Sequence, residues 1–512
     1  MKIKKLLSSK GALLVFLTCI CAAFIFVTSC QTPEEGGTDT PTGDGYSTTP
    51  GNGYENGGEV SGEPEAAAHV FPEANFGGED FVILNNEPIW DFTTAIVPEE
   101  QDGTVLNDAK WRRNMTINEH FNVELVELTR HIGDINGMVR TAVRSGSQDF
   151  DAVFCPGSMG GNTIGTLVAG GYLIDLMQVD GLNLTLPWWN QKALEDARIG
   201  SHSAIFFASN DISIHALQCP WVIYFNTEMI ENLGLDSPYQ LVHENRWNLD
   251  TMEEYMRAAV SLNGDAAFTP FSGTGSAIYG LSTAIPAIGE LFRGLDVRYV
   301  DTDSDNMPIF VADSPRFMQA AQRLAEVLSP PGHHTNGVPV LHYEQVFMQG
   351  RSLFVYAEFK AASVYRYSDL AFGIVPSPKL DANQESFVHN LTQEAPVYII
   401  PVTTPNLDKT AIIIDAMSYL SRRDVTPVFF DVHMSQKELR TEESTQMLQI
   451  IRDTSIFDIG RIYAWSFDIN QAIFNNIIAG GGEIASIVEA HRDRVNLAIE
   501  GTINALEELE SR

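Results

Sequence analysis

Val123-Glu124-Leu125-Val126, an amphipathic stretch from Asp134 to Arg144, then Asp151-Ala152-Val153-Phe154 running into Cys155-Pro156-Gly157-Ser158: these pieces follow one another without a long gap. Two apolar runs too short for helices flank one stretch of helical spacing, which predicts a βαβ unit of a mainly parallel sheet. The pattern continues on both sides. Upstream, Phe81-Val82-Ile83-Leu84 reads as a strand and Ala109 to Phe121 as a helix. Downstream, Thr166 to Leu176 reads as a third helix, followed by strands at Ala204-Ile205-Phe206-Phe207-Ala208 and Trp221-Val222-Ile223-Tyr224-Phe225-Asn226. Helices are expected from Thr227 to Leu233, from Trp247-Asn248-Leu249-Asp250 (Asn248 or Asp250 as cap) to Ser261, from Arg316 to Leu328 and from Tyr343 to Gln349. Leu353-Phe354-Val355-Tyr356 and Ala371-Phe372-Gly373-Ile374-Val375-Pro376 are further strands. The last third is mostly helical, over Lys409–Arg422, Ser444–Arg452 and Ile484–Leu509, and no internal repeat is present.

Length and charge bound what this α/β chain does. At 512 residues it exceeds one ordinary domain, and 44% hydrophobic residues are enough for a large core. With 66 Asp+Glu against 32 Lys+Arg the formal charge is -34, which excludes nucleic acid as partner because such affinity comes from clustered cations.

The N-terminus explains part of that charge. Lys2, Lys4, Lys5 and Lys10 precede an apolar run from Gly11 to Val27 and then Val27-Thr28-Ser29-Cys30, which reads as an export signal (residues 1–29) ending in a lipobox. Cleavage before Cys30 and lipidation of its sulfur are expected; an uncleaved membrane anchor is the competing reading. Residues 30–66 hold the lipidated Cys and a Gly-, Thr-, Pro- and acid-rich tether with nothing to bury. Taking away the +4 of the signal and the −8 of the tether leaves about −30 on the globular body. Of the five cysteines only Cys155 and Cys219 belong to that body, and they read as buried free thiols, with a disulfide open to an exported protein.

No enzyme motif is present: there is no GxxxxGK[ST], HExxH, CxxC or GxSxG. His333-His334 is read as a solvated loop. Asp301-Thr302-Asp303-Ser304-Asp305 offers Ca²⁺ ligands at positions 1, 3 and 5, but Asn306 stands where Gly is needed and Ala312 where Glu is needed, so a polar hairpin is expected and no metal or cofactor.

The order of the motifs resembles the family 1 extracellular solute-binding lipoproteins of ABC importers. The resemblance runs from about residue 76 to the end. It rests on Asp149-Phe150-Asp151-Ala152-Val153, Gly170-Gly171-Tyr172-Leu173-Ile174-Asp175-Leu176, Tyr224-Phe225-Asn226 with Gly234-Leu235, and Trp247-Asn248-Leu249-Asp250. It continues through Phe347-Met348-Gln349-Gly350-Arg351-Ser352, Phe372-Gly373-Ile374-Val375-Pro376-Ser377-Pro378 and the block from Thr426 to Ser444. It implies a bilobed, periplasmic-binding-protein-like fold joined by a multi-strand hinge: lobe 1 over 67–218, lobe 2 over 219–370, a return to lobe 1 over 371–424, and a helical part over 425–512 mostly on lobe 2. The implied function is non-enzymatic capture of a carbohydrate, an oligosaccharide above all, for ABC permease subunits. The implied setting is a monomer lipid-anchored at the outer face of the bacterial cytoplasmic membrane. The same fold holding a peptide or cationic solute, and a surface glycan sensor without import, are the alternatives.

A sugar needs flat aromatic faces and side chains that bond adjacent hydroxyls. Such residues at strand ends and crossings are Trp90, Asp91, Asn210, Asp211, Trp221, Tyr224, Glu358 and Trp465, with Asp211 and Glu358 foremost. For each tryptophan core packing competes with ligand stacking, and Trp188-Trp189 is assigned to packing.

Overall fold

β1 (Glu79–Asn86), β2 (Val123–Arg130) and β3 (Ala152–Pro156) lie parallel with β1 in the middle, so the opening βαβ reading holds. They belong to a computed structural model that describes residues 69–88, 93–159, 162–264, 275–338, 341–433 and 441–511. The signal, Cys30, the tether, Trp90 and Asp91 fall outside the described residues. Val82 sits opposite Val126 and Ile83 opposite Ala152. α1 (Val105–Phe121) and α2 (Ile135–Ser145) make the crossovers. α2 buries Ile135, Val139 and Ala142 along one face, then stops at Gly146, whose left-handed φ of 70° aims its N–H at the Ala142 and Val143 carbonyls.

α3 (Ile164–Ala169) is shorter than its expected span to Leu176, because Gly170-Gly171 ends it and Gly171 takes φ 67°. Ala204–Ala208 is not a ladder strand: it is held by single bridges, Ile199 to Ala204 and Ala208 to Tyr398.

The second sheet has the order β6-β5-β7-β4-β8. It is built from β4 (Trp221–Asn226), β5 (Tyr279–Thr283), β6 (His334–Thr335), β7 (Ser352–Glu358) and β8 (Phe372–Val375). β4 runs antiparallel to both β7 and β8. Asn248 is the cap of α4 (Leu249–Ser261), its Oδ1 accepting the Asp250 and Thr251 amides at 3.0 and 3.1 Å. α5 (Ala287–Gly294) and α6 (Pro315–Leu328) cover the same lobe. The Asp301 segment is a hairpin, Val300–Thr302 against Pro308–Phe310. His333 and His334 are not solvated: β6 carries His334 beside β5, and His333 is buried with its Nδ1 donating to the Val327 carbonyl at 2.8 Å. Burial also lowers His334 to about 4.

The return to the first lobe comes later than expected. Phe372–Val375 pairs with β4 in the second sheet, and only β9 (Pro396–Ile399), antiparallel to β3, rejoins the first. Apolar content alone does not say which sheet a strand joins; the register, Gly373 opposite Phe225, does.

α7 (Leu407–Leu420), α8 (Thr426–His433), α9 (Glu442–Asp453), α10 (Phe467–Ile478) and α11 (Ile484–Glu510) complete the chain. They are not confined mostly to the second lobe. α7 packs on α1 of the first, α10 on α5 and α6 of the second, and α11 touches α6 and also α3. Among the described residues no helix is long and apolar enough to cross a membrane.

Three passages between the lobes lie side by side. Pro220 bridges Leu391, while His389 and Asn390 pair in parallel with Ser455 and Ile456. His389 Nε2 accepts the Ser377 amide at 3.1 Å, so its proton sits on Nδ1 and is donated to Thr454 Oγ1 at 2.8 Å. Burial lowers this imidazole to about 3, so it stays neutral across physiological pH. Asp211, in the first passage, ion-pairs with Arg452 at 3.0 Å and Arg422 at 3.5 Å.

A Cβ added to Gly373 would stand 2.3 Å from the Phe225 ring and 2.5 Å from the Tyr239 hydroxyl. Gly373→Ala is expected to cost about 1–3 kcal/mol in urea denaturation, as overpacking does; an unchanged midpoint would remove β8 from this sheet.

Candidate functional site

Trp221 opens β4 and Glu358 closes β7, and the antiparallel register sets them directly opposite each other at one end of the second sheet. They line a cavity of about 530 Å³. Lys360 follows in the turn after β7, with Nζ 3.3 Å from Glu358 Oε2. Across from them the second passage presents Thr392, Gln393 and Glu394, and α10 presents Phe467, Asn470, Gln471 and Phe474. Spacings of three, four and seven put those four on one helical face, which is why a single helix forms the wall.

Beneath this wall lies a buried ion network. Glu290 on α5 receives Arg293 Nη2 at 2.7 Å, Asn390 Nδ2 at 2.6 Å and the Arg461 guanidinium. Arg461 Nη2 also donates to Gln393 Oε1 at 3.1 Å, and Arg293 Nη1 to Asn470 Oδ1 at 2.7 Å. Burial pushes the Glu290 carboxyl up, but the two arginines outweigh it and hold it at about 2. Glu358 goes the other way. Burial dominates, Lys360 opposes it only in part, and Glu394 and Glu344 add to it, so the carboxyl rises to about 7.

A second cavity of about 460 Å³ adjoins the first, sharing Gln393 and Phe467 with it. Its walls are Trp465, Ser158 and Thr163, together with His491, Arg494, Val495 and Ala498 on one face of α11. Trp465 is stacked on Tyr463 at 4.6 Å and 15°, and its Nε1 donates to Thr502 Oγ1 at 3.0 Å, so packing fixes the indole that fronts the cavity.

By sequence the chain matches no protein-family model and no curated protein. By structure it is similar to the cyclic α-maltosyl-1,6-maltose binding protein of Arthrobacter globiformis, with TM-score 0.55 and 12% identity over 83% of this chain and 100% of that one. A sugar transporter of Rhizobium etli in an open conformation gives 0.54 and 14%, over 81% and 99%. An ABC substrate-binding protein of Listeria monocytogenes in complex with cycloalternan gives 0.52 and 11%, over 83% and 99%. The chain has the fold of ABC-importer solute-binding proteins.

Within that solute-binding fold the candidate residues separate. Trp221 and Glu358 share the larger cavity and Trp465 fronts the smaller. Asn210, Asp211 and Tyr224 line neither. Asp211 is buried between its two arginines, and Asn210 Oδ1 accepts the Ile212 amide at 3.1 Å. Tyr224 lies three positions beyond Trp221, hence on the opposite face of β4. Its hydroxyl donates to the Phe359 carbonyl at 2.8 Å and accepts the Ala362 amide at 3.1 Å, which holds the turn bearing Glu358 and Lys360. Trp188 and Trp189 are core, as expected, and Cys155 and Cys219 are buried free thiols. Sequence reasoning missed Gln393, Phe467 and Asn470. The spacing Phe467, Asn470, Gln471, Phe474 is the signal that identifies them, and Phe467 is 53% exposed despite its bulk.

Two measurements test these electrostatics. Glu290→Gln is expected to lose about 3–5 kcal/mol at pH 7, the cost of breaking a buried pair. Because the native carboxyl is depressed, its contribution is present above about 4.5 and fades as pH falls toward 2, so the deficit should shrink over that window. The Glu358 carboxyl, seen by difference infrared spectroscopy, is expected to titrate near 7. A band that titrates near 4 instead would show the site to be wet.

Proposed function

We propose that the protein is the extracellular substrate-binding component of an ABC importer, tethered through Cys30, and that it captures a carbohydrate between its lobes and delivers it to permease subunits. One observation carries the reading. In the larger cavity the aromatic faces of Trp221, Phe467 and Phe474 stand beside the carboxylates of Glu358 and Glu394 and the amides of Gln393 and Asn470. Rings accept the apolar C–H face of a pyranose, and carboxylates and amides take paired hydrogen bonds from neighbouring hydroxyls. The adjoining cavity adds Ser158 and Thr163, which follow β3 of the first lobe, so a ligand spanning both cavities touches both lobes and favours the closed arrangement over the open one. The adjoining cavity past Gln393 and Phe467 gives room for more than one sugar unit, which supports an oligosaccharide. Several proteins of similar fold are named for such ligands, among them the Arthrobacter protein. The export signal and lipobox support anchoring outside the cytoplasmic membrane, and the charge of the body supports contact with basic sites on a permease.

Titration calorimetry of the full chain against a panel of neutral and amino-bearing saccharides is expected to find a ligand. Trp221→Ala and Phe467→Ala should each weaken it roughly tenfold or more. Absence of any saccharide ligand, or unaltered affinity in both variants, would sink the proposal.

A further inference from the structure

The ion pairs around the larger cavity leave one carboxylate without a counter-charge. Glu290 has Arg293 and Arg461, and Glu358 has Lys360. Glu394 is only 8% exposed, accepts the Gln393 side-chain amide at 2.7 Å, and forms no ion pair among the described residues. Its charged neighbourhood offers no relief. Glu358 and Glu344, the latter on the helix Tyr343–Met348, add negative charge, and the two cations that line the cavity, Lys360 and Arg461, are paired with Glu358 and Glu290. The same wall holds a second unmet group: the buried indole Nε1 of Trp221 meets no acceptor among the described residues. A nearly buried carboxylate held by one neutral amide is costly, and a protein tolerates it where something else supplies the positive charge.

We propose that the cavity selects a sugar carrying a protonated amino group, with the ammonium seated between Glu394 and Glu358. This rests on the reading of the cavity as a saccharide site and deepens it. An ammonium brings three donors and a full charge, where the hydroxyl it replaces brings one donor and no charge. Trp221, Phe467 and Phe474 remain available to the ring face, and an aromatic face beside a cation adds further attraction. The proposal also accounts for Glu358: its carboxyl, held near 7 by burial and by two acidic neighbours, is drawn into the ionised form when an ammonium arrives. Affinity for the amino sugar therefore rises with pH through about 7, until the amine itself loses its proton.

The test compares ligands that differ only at the amine. Calorimetry at pH 7.5 pairs glucosamine with glucose, galactosamine with galactose, and the β-1,4-linked glucosamine disaccharide with cellobiose; the N-acetylated disaccharide and putrescine serve as further ligands. The amino member of at least one pair is expected to bind roughly tenfold or more tightly than its hydroxyl twin, with the preference eroded by salt. Glu394→Gln should erase that preference, bringing the amino sugar down to the affinity of its neutral twin measured in the same variant. Because the wild-type pairs alone decide the matter, a variant that fails to fold does not shield the proposal. Equal or tighter binding of every neutral twin overturns the amine preference and leaves the saccharide reading standing. Putrescine binding more tightly than every amino sugar overturns the sugar part. A chain that binds no saccharide at all takes both readings with it.

Discussion

The Glu290 carboxylate is where three distant pieces of chain meet. Arg293 on the same helix, Asn390 in the second passage and Arg461 after the third all reach it, and through the two arginines Gln393 and Asn470 are set as well. Taking these charges out of water is unfavourable, and their mutual attraction offsets that only if nearly every donor finds an acceptor. Arginine suits the task because its planar fork presents several donors in fixed directions, which lysine does not. The cavity walls inherit this rigidity. Side chains that would otherwise sample several rotamers at the mouth are held from below, so a ligand meets a preorganised surface.

Other groups near the cavity act through the backbone. Tyr224 never touches the cavity, yet its hydroxyl bonds to both ends of the turn that carries Lys360. Asp211 holds the first passage to Arg452 at the end of α9, just before the third passage, and to Arg422 after α7. A carboxylate at a strand end beside aromatics thus has two physical uses, as ligand group or as anchor of a crossing. Burial between two guanidiniums is what separates them in this molecule.

Most of the fold was legible because period and length carry it. Parallel strands buried on both faces read as short apolar runs, and α2 and α4 announce themselves by spacing and caps. What was not legible depends on partners far away in sequence. Phe372–Val375 looks the same whether it joins one sheet or the other, and only its pairing with β4 decides. His333-His334 looks like loop until β5 and the Val327 carbonyl enclose it. In the candidate site, Trp221 and Glu358 stood out as an aromatic and an acid at strand ends. Glu290 and Arg461 did not, since in a chain with 66 acidic residues nothing local marks the one that lies at the centre of a network.

Gln393 faces both cavities, with its carbonyl oxygen tied to Arg461 and its amide nitrogen to Glu394. For evolution this makes the position pleiotropic. A substitution there alters both cavities and releases a guanidinium and a carboxylate at once, so divergence of ligand preference has to begin elsewhere. Trp221 and Trp465, each fronting one cavity only, are the places where one end of the cleft can drift while the other keeps its shape.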